Sequence, residues 1–379
     1  MEVPRTLLVA NDYPPRVGGI QRMLEALVSE LPPDRIAVVC PDRDGAEAFD
    51  AAAPYRVFRQ PERFLWPTPG VARRVEEAAA EFGAEVVWFG AVYPLALLGP
   101  RLARLGLPYV AIAHGFEYWL SLAPGAHALM RRATGRASRV AACSGFVARV
   151  VRAAVPDRVP VSVLYPGADV DVFRPGLPFE DLKERHGLAG RPLAVCVSRL
   201  VPRKGQDVLI RAMPEVVRRV PDASLLIVGD GPYRGALEAM ARDAPPGSVT
   251  FAGEVSQSDL PRYFRAGDVF AMPCRSRLAG LEVEGWGIVF IEAAACGRPV
   301  VVGDSGGARE SLVDGETGVL VDGRDVGAVA DAVASLLADP ARAHAMGAAG
   351  RSRVERSFTW SRAAAQLAAW LRGATEERQ

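Results

Sequence analysis

Three loops of this sequence combine charge and glycine in a way that suits an anionic ligand. The first is Ser198-Arg199-Leu-Val-Pro-Arg203-Lys204-Gly205-Gln206, which follows the apolar run Leu193 to Val197 and carries three cations. Of the 45 basic residues in the chain only Lys183 and Lys204 are lysine. Lysine offers a compact point charge where arginine offers a planar fork, so a lysine in this loop points to phosphate binding. The loop lacks G-x-x-x-x-G-K-[ST] and is not a P-loop. The second is Gly280-Leu-Glu282-Val-Glu284-Gly-Trp-Gly287-Ile-Val-Phe-Ile-Glu292, where a helix is predicted to begin near Gly287 and stop at Gly297, ahead of Pro299. Glu284 then precedes the helix, beside the free N–H groups of residues 287 to 289, and Glu292 lies in its second turn. Eight helical residues would separate the two carboxylates by up to about 12 Å, beyond the roughly 5 to 9.5 Å of a glycosidase pair. They are expected to hold two parts of one long ligand. The third loop is Asn11-Asp12-Tyr-Pro-Pro-Arg16-Val-Gly18-Gly19-Ile20-Gln21, whose two glycines precede a helix and would let backbone N–H groups approach an anion.

The elements that must position these loops are read from alternation. Apolar β-branched runs at Thr6 to Ala10, Ile36 to Cys40, Val86 to Phe89, Tyr109 to Ala113, Val140 to Cys143 and Val161 to Leu164 alternate with amphipathic stretches. The pattern restarts at Leu193 to Val197, Leu225 to Val228, Val249 to Ala252, Val269 to Met272 and Val300 to Gly303, with helices at Gln206 to Arg219, Pro232 to Arg242 and Ile288 to Cys296. Continuous apolar strands between helices imply parallel sheets covered on both faces. The expected fold is α/β, two Rossmann-like doubly wound domains facing across an interdomain cleft, with residues 165 to 176 as linker. Ligands of such sheets bind beyond the carboxyl ends of strands, where all three loops lie. Residues 339 to 372 read as helical throughout.

Composition narrows the function classes. A net charge of +1 lacks the basic excess of a dedicated nucleic-acid binder. Five scattered cysteines show neither a disulfide framework nor a zinc spacing. No G-x-G-x-x-G is present: Gly229-Asp-Gly231 followed by Gly235 has the wrong spacing, which disfavours a dinucleotide enzyme. Asp169-Val-Asp171 and Asp42-Arg-Asp44 both match the short D-x-D of metal-dependent transferases; two matches in one chain show how little that pattern specifies, and Asp169 and Asp171 are assigned a structural role. The four histidines form no metal-ligand spacing. No run of 18 apolar residues occurs and the start does not read as a signal peptide, so a cytoplasmic protein is expected.

On EGWGIVFIE, SRLVPRKG, PPRVGGIQ, SGGARE and His114-Gly115, the whole chain resembles the retaining, nucleotide-sugar-dependent glycosyltransferases of family 4, which have the GT-B fold, and within them the actinobacterial phosphatidylinositol mannosyltransferases. The resemblance implies a donor site of Gly18, Gly19, Arg199, Lys204, Val255, Glu284, Gly287, Ile288, Val289 and Glu292. Arg199 and Lys204 would bind the diphosphate, Glu284 the transferred sugar, Glu292 the ribose, and Val255 would line the base pocket. His114 would sit by the reacting carbon, catalytic together with Arg199, Lys204 and Glu284, and the acceptor would meet Asp12, Gln21, Arg63, His114 and Glu117. The resemblance also implies GDP-mannose as donor, same-face transfer with retention, a lipid acceptor such as phosphatidylinositol monomannoside, no metal cofactor, and residues 359–379 returning to the first domain (1–168) while 175–358 form the donor domain. Phe116 stands where related mannosyltransferases carry histidine. A UDP-sugar donor with a soluble or polysaccharide acceptor, a 2-epimerase and a non-catalytic sugar-nucleotide module are the competing readings.

Charge also has a local bias. Between Arg101 and Pro160 nine arginines face only Glu117 and Asp157, an excess of seven positive charges. With Phe64-Leu65-Trp66 flanked by Arg59, Arg63, Arg73 and Arg74, and with Tyr118-Trp119-Leu120, this suggests reversible docking on an anionic bilayer, at the inner face of the plasma membrane.

Overall fold

A computed structural model describes residues 2–16, 18–115, 117 and 124–376. The chain divides into two compact units, Met1–Pro166 with Trp360–Gln379, and Gly167–Thr359. The first is built on seven parallel strands: β1 (Thr6–Val9), β2 (Ile36–Pro41), β3 (Arg56–Gln60), β4 (Val86–Phe89), β5 (Tyr109–Ala113), β6 (Arg139–Ala142) and β7 (Val161–Val163), in the order β3-β2-β1-β4-β5-β6-β7. The second holds β8 (Leu193–Val197), β9 (Ser224–Val228), β10 (Val249–Gly253), β11 (Val269–Met272), β12 (Val300–Gly303) and β13 (Gly318–Val321), in the order β10-β9-β8-β11-β12-β13. Both sheets follow the doubly wound 3-2-1-4-5-6 plan, which puts the switch point beside the first strand of each unit.

Every residue of β1, β4, β5 and β8 is buried, because helices cover both faces. In the first unit, α1 (Gly19–Ser29) lays Leu24 and Leu27 on Leu8, Val38 and Trp88. The second unit supplies α2 (Gln206–Arg219), α3 (Ile288–Ala295) and α4 (Pro340–Ser357); α5 (Trp360–Glu376) belongs to the first unit, where Ala364, Leu367 and Leu371 join the core of α1.

The structure departs from the sequence expectation at four places. The strands β3 and β13 were not foreseen: both are edge strands with partly exposed residues, so neither reads as a continuous apolar run. The helical stretch at 339 to 372 breaks at Phe358-Thr359, where Ala168 N–H bonds the Phe358 carbonyl (2.8 Å). Residues 167 to 176 are not a free linker. Arg351 pins them into the second unit by donating to the carbonyls of Val170 (2.9 Å), Phe173 (2.7 Å) and Ala295 (2.8 Å), and Asp169 Oδ1 accepts the N–H of Asp171 and Val172.

Candidate active site

In the second unit the loop after β8 and the loop before α3 meet at one carboxylate. Glu284 Oε2 receives Lys204 Nζ and Arg203 Nη1, each at 2.6 Å, although Glu284 is only 8% and Lys204 9% exposed. Burial pushes the Glu284 carboxyl up; the two cations overcome this and hold it below the ordinary carboxylate range. Two cations on one carboxylate leave a net positive charge, to which exposed Arg199 adds another. Among the described residues no donor bonds Oε1, which leaves it open to a hydroxyl.

Local backbone explains why the sequence folds this way. Gly205 has φ +81° and a Cβ there would lie 2.0 Å from the Pro273 carbonyl, so only glycine lets Lys204 turn into the site. Gln206 ties the loop by donating to Ser198 Oγ (2.8 Å) and the Arg199 carbonyl (3.2 Å). Gly229 and Gly231 press against the carbonyls of Ser198 and Leu200, a support for this loop rather than a nucleotide fingerprint. The Ser305-Gly306-Gly307 segment grips Glu284 from the other side: Ser305 Oγ accepts its N–H (3.2 Å) and Gly307 N–H donates to its carbonyl (2.9 Å). Glu284 was expected beside the N–H groups at the start of α3; it turns to the cations instead, and the Gly287 N-cap has no side-chain cap. Gly287, Ile288 and Val289 are half-exposed at that helix start, Glu292 is buried, and Val255 is half-exposed just past the end of β10.

In the first unit Asp12 Oδ1 accepts from Gln21 Nε2 (2.7 Å) and Arg16 Nη1 (3.1 Å). Gln21 folds back over Gly18, where a Cβ would meet its Oε1 at 2.3 Å, while Gly19 is open on that side. His114, at the end of β5, lies within reach of the Asp12 charge. Its Nε2 is 2.6 Å from the Gly90 carbonyl. A carbonyl only accepts, so Nε2 carries the hydrogen; burial lowers the imidazole pKa, leaving a neutral ring with Nδ1 as its basic nitrogen. Asn11, buried beside β1, grips the backbone of Leu65 twice, Nδ2 to its carbonyl (3.1 Å) and Oδ1 from its N–H (2.6 Å). Either side of that clamp, Phe64 (38%) and Trp66 (54%) are exposed and packed on each other at a tilt of 53°, with ring centroids 4.9 Å apart.

Residues 17–172 match the family described as Glycosyltransferase Family 4, and residues 178–353 match Glycosyl transferases group 1. Over 98% of this chain and all of the relative, the sequence is 48% identical to the GDP-mannose-dependent alpha-(1-6)-phosphatidylinositol monomannoside mannosyltransferase of Mycolicibacterium smegmatis. The chain belongs to glycosyltransferase family 4. A Corynebacterium glutamicum relative, the GDP-mannose-dependent monoacylated alpha-(1-6)-phosphatidylinositol monomannoside mannosyltransferase, is 40% identical over 94% of each chain. Among solved structures, Anabaena Alr3699/HepE in complex with UDP covers 97% of this glycosyltransferase and all of its own chain at TM-score 0.81 and 20% identity. Sucrose-phosphate synthase from Thermosynechococcus elongatus covers 98% and 100% at TM-score 0.79 and 22% identity. At such identities the likeness shows the shared fold alone.

Within this glycosyltransferase the expected residues fall into two groups, one in each unit. Lys204 and Glu284 are in direct contact, with Arg199 on the same loop as Lys204. Asp12 and Gln21 are bonded to each other and His114 is near. Glu117, expected at the acceptor, is fully buried, with Oε2 on the backbone N–H groups of His114 (3.0 Å) and Gly115 (2.8 Å). Arg63 is exposed on the loop that carries Phe64 and Trp66. Leu65 belongs to the core and Arg59 is no surface cation, being held by Asp50 and the carbonyls of Pro14 and Pro41. Phe116 and Tyr118-Trp119-Leu120 lie outside the described residues. Ser305, Gly90 and Asn11 are residues around the site that sequence reasoning passed over, and Arg203, counted there among three cations, was given no role of its own. Arg203 stood in the basic loop and Ser305 in SGGARE, but nothing local says which carboxylate or backbone they reach. Among the described residues no three His, Cys, Asp or Glu side chains converge as a metal site requires, and no helix is long and apolar enough to cross a membrane.

Proposed function

We propose that this glycosyltransferase moves mannose from GDP-mannose onto a phosphatidylinositol monomannoside, at an anionic membrane surface on the cytoplasmic side, without a metal ion. The observation that carries the reading is the Lys204–Glu284–Arg203 cluster at the carboxyl end of β8, in a chain 48% identical to relatives of that activity. As the bond between the anomeric carbon and phosphate breaks, negative charge gathers on the departing diphosphate, and Arg199, Lys204 and the start of α3 stabilise it. Glu284 Oε1 takes a hydroxyl of the transferred sugar, Glu292 the ribose and Val255 the base. His114 presents Nδ1 to the transferred sugar, and Asp12 and Gln21 meet the acceptor head. The acceptor hydroxyl attacks from the face the phosphate leaves and gives its proton to the leaving phosphate oxygen, so configuration is retained. Arg63, Phe64 and Trp66 bring the first unit to the lipid.

The test is incubation with a panel of nucleotide sugars and separated membrane lipids, with products identified by mass. GDP-mannose and phosphatidylinositol monomannoside should give a lipid heavier by one hexose. Transfer from a UDP-sugar to a soluble glycan instead would overturn the proposal. A chelator should leave turnover unchanged; loss restored by Mg²⁺ or Mn²⁺ would remove the metal-free part.

A further inference from the structure

Glu117 has no part in the transfer as proposed, yet its environment is demanding. A carboxylate with no exposed surface is costly unless it is hydrogen-bonded. Here a single oxygen, Oε2, accepts two backbone N–H groups, those of His114 (3.0 Å) and Gly115 (2.8 Å), while Oε1 has no hydrogen-bond partner among the described residues. These N–H groups lie just past the end of β5, where the strand ladder supplies no carbonyl, and a buried backbone donor needs an acceptor. Gly115 has φ +109°, a conformation open to glycine that folds the chain back toward Glu117.

We propose that Glu117 is the positioning residue of His114: its carboxylate clamps the turn after β5 and thereby fixes the direction of the imidazole. Three bonds then hold the histidine, one at each of its handles. Glu117 takes its backbone N–H, Cys143 Sγ donates to its backbone carbonyl (3.5 Å), and the Gly90 carbonyl takes its ring Nε2–H (2.6 Å). The two backbone bonds set where Cα and Cβ stand, and the third sets ring rotation, so Nδ1 is left facing one direction. Without Glu117 the N–H groups of residues 114 and 115 lose their acceptor and the turn relaxes, moving Nδ1. The inference rests on the role given above to His114.

The test uses the full chain with Glu117→Ala, Glu117→Gln and His114→Ala. Three quantities are read: kcat with GDP-mannose and phosphatidylinositol monomannoside, GDP affinity by calorimetry, and the His114 ring nitrogens by long-range proton–nitrogen NMR. Glu117→Ala should lower kcat by about 100-fold, the scale of an angstrom of misplacement, with GDP affinity unchanged because Arg199, Lys204, Val255 and Glu292, the candidate contacts of the nucleotide, lie in the other unit, and with an altered His114 spectrum. Glu117→Gln keeps an oxygen of the same reach and should restore the spectrum and most of kcat; it also keeps the test open if the alanine variant fails to fold. A wild-type His114 spectrum in Glu117→Ala, or glutamine as damaging as alanine, would overturn the clamp. Normal turnover in His114→Ala would instead remove the role given to His114, while the spectra still decide the clamp.

Discussion

Among the residues of the second unit, Arg199 and Lys204 carry the same charge on the same loop and differ in what holds them. Arg199 is exposed and has no ion pair among the described residues, so Arg199→Ala should cost turnover about 10²- to 10³-fold with a melting temperature close to wild type. Lys204 is half of a buried pair. Lys204→Ala should cause a similar loss of turnover and, in addition, destabilise by up to about 3 kcal/mol, because removing one partner strands a buried carboxylate, with Arg203 remaining to compensate in part. Melting curves beside steady-state rates separate the two variants; equal melting would mean the Glu284 contact adds nothing to stability. Glu117 gives a pH prediction. Burial pushes its carboxyl up to about 7, against the pull of the backbone N–H donors. A carboxylate with a raised folded pKa contributes stability that is complete below its ordinary value, near 4.5, and is lost as pH rises through 7. Glu117→Gln does not titrate, so its melting temperature should gain on wild type between pH 5 and pH 8.5. A constant difference across that range would show that Glu117 keeps an ordinary pKa.

At the level of loops and elements, two clamps decide whether side chains reach their places. The Asn11 clamp fixes the loop of Phe64 and Trp66 to the end of β1. Asn11→Ala removes both bonds and leaves the Leu65 backbone buried without partners, about 1 to 3 kcal/mol for each group, so a lowered melting temperature and weaker vesicle binding should appear together. The Gly306 clamp acts on Glu284: with φ +57° and the Glu284 carbonyl 2.2 Å from any Cβ, Gly306→Ala must push the Glu284 loop away. Calorimetry should record weaker GDP-mannose binding than wild type, and undiminished affinity would free Glu284 from the donor site. The same contrast runs through the strands. Central strands such as β1 and β8 announce themselves by apolar runs, Leu7 to Ala10 and Leu193 to Val197, whereas β3, Arg-Val-Phe-Arg-Gln, pairs on one side only and keeps Arg56 facing water.

For the whole molecule, the question is how a chain of net charge +1, with no helix among the described residues long and apolar enough to span a membrane, meets a lipid. Arg131, Arg132, Arg136, Arg149 and Arg158 are all exposed on the first unit, as are Arg63, Phe64 and Trp66. Each basic residue near an anionic surface contributes about 1 kcal/mol, so a handful gives reversible docking. Co-sedimentation should show binding to anionic but not neutral vesicles, weakening between 0.1 M and 1 M salt as the Debye length falls from about 10 Å to about 3 Å. Replacing Arg63 and Trp66 by serine should reduce it; equal binding to both vesicle types would sink membrane docking.

The sequence by itself determined the parallel sheets, the loops at their carboxyl ends and the span of α2, and it singled out Arg199, Lys204 and Glu284 as candidates, because apolar runs, glycine stops and a rare lysine are local signals; His114 entered only through the family resemblance. Tertiary structure alone decided that Lys204 and Arg203 share the carboxylate of a residue 80 and 81 positions away, that Leu65 is core while its neighbours are exposed, and that Arg351 binds residues 167 to 176 into the second unit. It also placed the Glu117 carboxylate out of contact with water, on the backbone N–H groups of His114 and Gly115. Which partner a charge finds, and which side of a loop faces water, depend on how distant segments come together once the sheets have formed, and neighbouring residues in the chain carry no record of that.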